Sequence, residues 1–143
     1  MGRVDGSIAI VTGGAKGIGR ASAEMLAAEG AQVAVTDVDE EAGTETVNDI
    51  TNAGGEAAFF EHDVAAEDDW ERVVAATQDT FGAPDVLVNN AGIYQIAPID
   101  EVSVEDWRAL MDVNVTGVFL GMKHCTPLMR EQGHGSVINL SSV

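Results

Sequence analysis

Short apolar runs rich in valine, isoleucine and alanine alternate along this chain with longer stretches whose apolar positions recur every three or four residues. The short runs, at residues 7–12, 32–36, 57–61, 85–89 and 136–141, predict β-strands. The longer stretches predict helices over residues 17–29, 39–53 and 67–80, and a last, long one from an N-cap at Ser103 to about residue 131. In the first helix the apolar face is expected to be Ile18, Ala21, Met25 and Leu26, with Gly30 ending it. The second opens on acidic residues, as the partial positive charge of a helix N-terminus favours, and closes at Gly54-Gly55. The third turns Trp70, Val73 and Val74 inward. In the long helix Asp106 completes a capping-box-like pair with Ser103.

Strands alternating with helices predict an α/β fold with a parallel sheet covered on both faces. Right-handed crossovers then make a doubly wound sheet the natural topology, here truncated after a fifth strand. With 143 residues, 45% of them hydrophobic, one domain with a real core is expected over residues 1–143. No repeat, low-complexity run or linker divides it.

Charge narrows the choice of partners. There are 24 Asp and Glu against 7 Lys and Arg, and the only lysines are Lys16 and Lys123. A net charge of −17 repels phosphate backbones and anionic membranes, so no nucleic-acid or membrane partner is expected. So acidic and lysine-poor a surface also resembles that of proteins from salt-loving organisms, where salt screens the self-repulsion. No apolar run approaches the roughly 18–20 residues of a membrane span, and the N-terminal residues lack a signal-peptide apolar stretch. A cytoplasmic location is the expectation. The single Cys125 fits a reducing compartment and a buried helix position. His62, His124 and His134 show no metal-ligand spacing with it or with each other, so no metal is expected.

The strongest local signal is Thr12-Gly13-Gly14-Ala15-Lys16-Gly17-Ile18-Gly19, between the first strand and the first helix. Gly13 permits a tight turn out of the strand, Gly17 lets backbone approach a pyrophosphate, and Gly19 lets the helix lie close on the sheet. The helix N-terminus offers free N–H groups and partial positive charge to phosphates. A P-loop is excluded, since Lys16 precedes Gly17 and no glycine is followed by a Lys-Ser or Lys-Thr pair. Asp37 ends the second strand near the roughly 20-residue offset of an acid that binds an adenosine ribose diol. Like charge makes it hostile to a 2′-phosphate, by about 4 kcal/mol at about 4 Å in an intermediate dielectric before salt screening. The following residues, Val38, Asp39, Glu40 and Glu41, supply no counter-charge.

The spacing Thr-Gly-x-x-x-Gly-Ile-Gly, followed in order by Asn89-Asn90-Ala91-Gly92, Asn114 and Ser141-Ser142, resembles the short-chain dehydrogenase/reductase family along the whole chain. The resemblance implies a Rossmann-like fold and hydride transfer between NAD and an alcohol or ketone by an oligomeric enzyme, with NADP the less favoured cofactor. It implies that Asp63 and Val64 contact adenine, Asp63 receiving its amino group, although a plain Asx turn accounts for Asp63 nearly as well. Lys16 corresponds to a basic residue that helps hold NADP in some relatives. Asn89, Asn90, Ala91 and Gly92 would pass beside the cofactor and help hold the central sheet together. Asn114, unfavourable inside a helix by propensity, would stabilise a kink whose freed carbonyl holds a water of a proton relay. Ser142 would hydrogen-bond the substrate oxygen as charge develops there.

The family's acid/base pair, a Tyr-x-x-x-Lys after this serine, does not occur in these residues. Tyr94, the only tyrosine, stands in the wrong context to replace it. The expectation is a fragment of a longer enzyme that does not turn over by itself. Two other readings compete. One is a non-catalytic NAD-binding module or redox sensor on the same fold. The other, a methyltransferase binding adenosyl-methionine, is disfavoured by Asn89-Asn90-Ala91-Gly92.

Overall fold

The structure, a computed structural model, describes residues 2–142. Strand β1 (Ile8–Thr12) leads through the glycine turn into helix α1 (Gly17–Ala28), then β2 (Gln32–Asp37) and α2 (Glu40–Asn52). Next come β3 (Glu56–Glu61), α3 (Glu67–Thr80) and β4 (Val86–Asn89). A single 3-10 turn (Ile99–Glu101) precedes α4 (Val104–Met111), and α5 (Gly117–Gln132) then leads to β5 (Ser136–Asn139).

The five strands form one parallel sheet in the order β3-β2-β1-β4-β5. Thus β2 and β3 follow β1 on one side, while β4 and β5 continue on the other. The chain reverses its winding direction between β1 and β4, and side chains at the carboxyl ends of those strands face a natural crevice. In β1, Ile10 packs with Trp70, Leu87, Leu120, Cys125 and Met129 on one face. Its neighbour Val11 packs with Ala23, Ala27, Val33, Val35 and Ile50 on the other. The period of two therefore divides the core into two layers, α3 and α5 over one face, α1 and α2 over the other.

Three expectations are corrected. The buried face of α1 is Gly19, Ala23 and Ala27, whereas Ile18 and Met25 are 68% and 64% exposed. Ala21 is exposed as well, and Leu26 alone of the expected face packs against the core. A helix that sits close to its sheet must present small residues to it, so the larger ones turn outward. The long helix is interrupted by a π turn over Asp112–Thr116, where the Gly117 N–H bonds to the Asp112 carbonyl. The strand after it ends at Asn139, two residues earlier than its apolar pattern implies. The inward positions of α3 are as expected, with Trp70 and Val73 fully buried and Val74 nearly so. Ser103 caps α4 through the Asp106 N–H at 3.0 Å. Among the described residues no helix is long and apolar enough to cross a membrane.

Candidate active site

A crevice of about 590 Å³ opens where the winding reverses. Its walls include Gly13, Lys16 and Ile18 from the glycine turn, Asp37 and Val38 after β2, His62, Asp63 and Val64 after β3, and Asn90, Ala91, Gly92 and Ile93 after β4. The structure thus gathers residues from four strand ends that are far apart in sequence.

The glycine turn is shaped by its neighbours. Gly13 has φ +61° and Gly17 φ +57°, left-handed conformations that side chains resist. A methyl group on Gly13 would lie 2.9 Å from both the Ala91 Cα and the Asn90 amide nitrogen, so the turn passes against the segment after β4. At Gly17 an added methyl meets nothing within 4 Å, which leaves the turn open in front of α1. No side chain caps the first turn of α1, and the first N–H groups of a helix have no partner within it. A glycine cradle, exposed helix N–H groups and open space suit a diphosphate.

Asn90 fixes this cradle. Its amide donates to the carbonyl oxygens of Thr12 at 3.0 Å and Gly13 at 3.1 Å. The Thr12 hydroxyl in turn accepts the backbone N–H groups of Asn90 and Ala91, both at 3.1 Å, and donates to the Val88 carbonyl at 3.3 Å. Asn89 is buried beneath and donates to the Asn139 side-chain oxygen across to β5 at 2.9 Å.

At the other end, Asp37 is held by backbone. One oxygen accepts the Ala15 N–H and the other the Asp39 N–H, each at 3.1 Å. Each carboxylate oxygen keeps a lone pair for a further donor such as a ribose hydroxyl. The Lys16 ammonium lies 2.5 Å from the Asp39 carboxylate. That hydrogen bond raises the Lys16 ammonium above its usual range. Lys16, with the Ala42 N–H, lowers the Asp39 carboxyl below its own.

Asp63 forms the Asx turn weighed from the sequence, its carboxylate accepting the Ala65 N–H at 2.9 Å. The Val64 carbonyl accepts the Trp70 indole N–H at 2.9 Å, which pins the wall of the crevice to α3.

Asn114 sits in the π turn and binds both backbone groups of Ile93. Its oxygen accepts the Ile93 N–H at 2.8 Å and its nitrogen donates to the Ile93 carbonyl at 2.7 Å. The helix irregularity therefore ties to the loop after β4. Ser142 lies beyond β5 and is exposed. Neither Asn114, Ser142 nor Gly17 lines the crevice, and the buried Thr12, Gly19 and Asn89 lie outside its lining as well.

Sequence reading missed His62. It is buried, its Nδ1 is 2.9 Å from the Thr36 hydroxyl, and its ring meets Trp70 edge-on with centroids 4.3 Å apart. The Nε2 atom is buried without a hydrogen-bond partner. Burial drives the ring pKa down to about 4, so the imidazole is neutral near pH 7. Nothing local in the sequence marks it, because its partners come from β2 and α3.

The fold also brings Glu67 and Glu71 of α3 to His124 of α5, with potential ligand atoms within 4.8 Å of one another. The histidine spacings in the sequence give no sign of this cluster. Lys123 and His124 already share the Glu67 carboxylate, so a cation there would have to displace an ammonium.

Residues 7–143 match the family model described as short chain dehydrogenase. The chain is 47% identical over 137 residues to an uncharacterized oxidoreductase of Thermotoga maritima, covering 96% of this chain and 54% of that protein. It is 48% identical over 145 residues to a 2,5-dichloro-2,5-cyclohexadiene-1,4-diol dehydrogenase of Sphingobium indicum, covering 100% of this chain and 57% of that protein. A 3-alpha-(or 20-beta)-hydroxysteroid dehydrogenase of Mycobacterium tuberculosis is 39% identical over 142 residues, 99% of this chain and 54% of the relative. The chain spans about half the length of these curated relatives.

Proposed function

The chain belongs to the short-chain dehydrogenase family, and from that premise we propose that its whole protein is an NAD-dependent oxidoreductase acting on an alcohol or its ketone. The nicotinamide cofactor, when bound, accepts or gives the hydride. In this reading the glycine turn and the first N–H groups of α1 hold the pyrophosphate, and Asp37 accepts the adenosine ribose hydroxyls. Asp63 and Val64 border the adenine, Val64 held by Trp70. Asn89, Asn90, Ala91 and Gly92 form the floor beside the cofactor, with Asn90 keeping Gly13 in its turn. Asn114 supports the loop after β4 and the proton relay, and Ser142 orients the substrate oxygen. The proton itself would be moved by a Tyr and Lys that these 143 residues do not include, so this piece alone is expected to bind NAD weakly and not to turn over.

One observation carries the choice of NAD. Asp37 presents a carboxylate at the ribose end of the crevice, and the one cation that lines it among the described residues, Lys16, is already held by Asp39. Relatives named for a cyclohexadiene diol and a hydroxysteroid support a substrate whose hydroxyl sits on a carbocycle.

The test is initial-rate kinetics at 340 nm with the full-length protein, a panel of cyclic and acyclic alcohols, and both cofactors. Oxidation with NAD preferred by about a hundredfold or more, equivalent to about 2.8 kcal/mol, is expected. Equal kcat/KM with NADP would overturn the cofactor assignment. Binding without turnover of any alcohol or ketone would favour a nucleotide-binding module.

A further inference from the structure

A carboxylate at Asp37 would repel a 2′-phosphate, and Lys16 is the cation of the same crevice that could offset that repulsion. Lys16 belongs to the glycine turn, and the N–H of its neighbour Ala15 bonds to Asp37 at 3.1 Å. Its side chain stands beside the ribose end of the crevice. An ammonium free there would attract the extra phosphate of a 2′-phosphorylated nucleotide. Instead it lies 2.5 Å from the Asp39 carboxylate.

Asp39 is well placed to keep it. It is the N-cap of α2, its other oxygen accepting the Ala42 N–H at 3.0 Å, and its own N–H is bound by Asp37 at 3.1 Å. Both acids are thus fixed to one turn of backbone, while Lys16 is a long, largely exposed side chain that reaches Asp39. An exposed ion pair contributes little to stability. Its consequence lies in where it directs the cation.

We propose that Asp39 is a second determinant of cofactor specificity, engaging the Lys16 ammonium beside the ribose end of the crevice so that its charge is already offset there. The inference rests on the reading of the crevice as a nicotinamide-nucleotide site. It assigns the rejection of a 2′-phosphate to two acids rather than one, with Asp39 acting through Lys16. The Asp-Val-Asp sequence at residues 37–39 would then be a two-part filter.

Calorimetric titration of the full-length protein with 2′,5′-ADP and with 5′-AMP tests this without catalysis. Asp39→Asn keeps the helix cap, since asparagine caps as well as aspartate, but loses the charge that holds Lys16. Its affinity for 2′,5′-ADP should rise about tenfold, the scale of about 1.4 kcal/mol of charge interaction, while 5′-AMP binds within about twofold of the unmutated protein. Lys16→Ala should reduce 2′,5′-ADP affinity more in the Asp39→Asn background than in the unmutated protein. An unchanged 2′,5′-ADP affinity in Asp39→Asn, or equal Lys16→Ala losses in both backgrounds, would overturn the inference. Failure of folded, unmutated protein to bind 5′-AMP would overturn the nucleotide-site reading, and this inference with it.

Discussion

Asn90 and Thr12 hold each other across the point where the sheet reverses its winding. The Asn90 amide donates to the Thr12 carbonyl at 3.0 Å, and the Thr12 hydroxyl accepts the Asn90 N–H at 3.1 Å. The same amide reaches Gly13, so one side chain sets the distance between the glycine turn and the segment after β4. Asn90→Ala should cost about 1–3 kcal/mol, because two inward-facing carbonyls lose their donor. Asn90→Asp should cost more, since a carboxylate would face those carbonyls. Urea midpoints at neutral pH measure both; losses under about 0.5 kcal/mol, the range of ordinary surface substitutions, would remove Asn90 from this role.

Gly19 tests how closely α1 lies on the turn. A methyl there would overlap the Gly13 carbonyl and the Asn90 amide. Gly19→Ala is expected to destabilise by about 1–3 kcal/mol through overpacking and to weaken nucleotide binding by displacing the cradle. Thermal unfolding with and without NAD reads both effects. A variant as stable as the parent, with the same shift on adding NAD, would contradict the close approach.

On the proposed reading, Asp37→Ala should narrow the preference for NAD by removing the carboxylate assigned to the ribose diol. NAD affinity is expected to fall and NADP affinity to rise. The ratio of kcat/KM values for the two cofactors is the measure. A ratio unchanged within about twofold, about 0.4 kcal/mol, would show that Asp37 does not read the ribose.

His62 gives a pH dependence with a definite sign. Its pKa is about 4 when folded, against an ordinary value of 6.5. A neutral imidazole is required by the fold, so the unfolded chain binds the proton more readily. Stability from this residue is complete above about pH 6.5 and declines as pH falls toward 4, by up to about 3 kcal/mol. Urea unfolding from pH 7 to pH 5 should show that decline, and His62→Gln should flatten it. Identical slopes for parent and variant would assign the decline to other groups.

The net charge of −17 predicts salt-dependent folding. Self-repulsion is screened over about 10 Å at 0.1 M salt and over about 3 Å at 1 M, so the thermal midpoint should keep rising into molar KCl. A midpoint flat above physiological ionic strength would point to an ordinary acidic protein rather than one suited to high salt.

The sequence by itself determined the alternation of strands and helices, the glycine turn and the acid at the end of β2. Each rests on local physics: apolar periodicity, helix-capping chemistry and backbone positions that only glycine tolerates. The pattern Asn89-Asn90-Ala91-Gly92 was legible too, though only as a resemblance. What Asn90 does depends on β4 lying next to β1, a pairing that periodicity does not specify.

The tertiary structure decided the rest. Which face of α1 is buried followed from the closeness of its packing, which favoured Ala23 and Ala27 over the larger Ile18 and Met25. The π turn places Asn114 where it makes two bonds to Ile93, a residue of the loop after β4. His62 acquired its neutral state from burial between β2 and α3, and Lys16 its partner from an aspartate beyond β2. Hydrophobic spacing records what each segment buries against a sheet. It carries no record of which distant polar group a side chain will meet, because those pairings form only when the strand order brings the strand ends together.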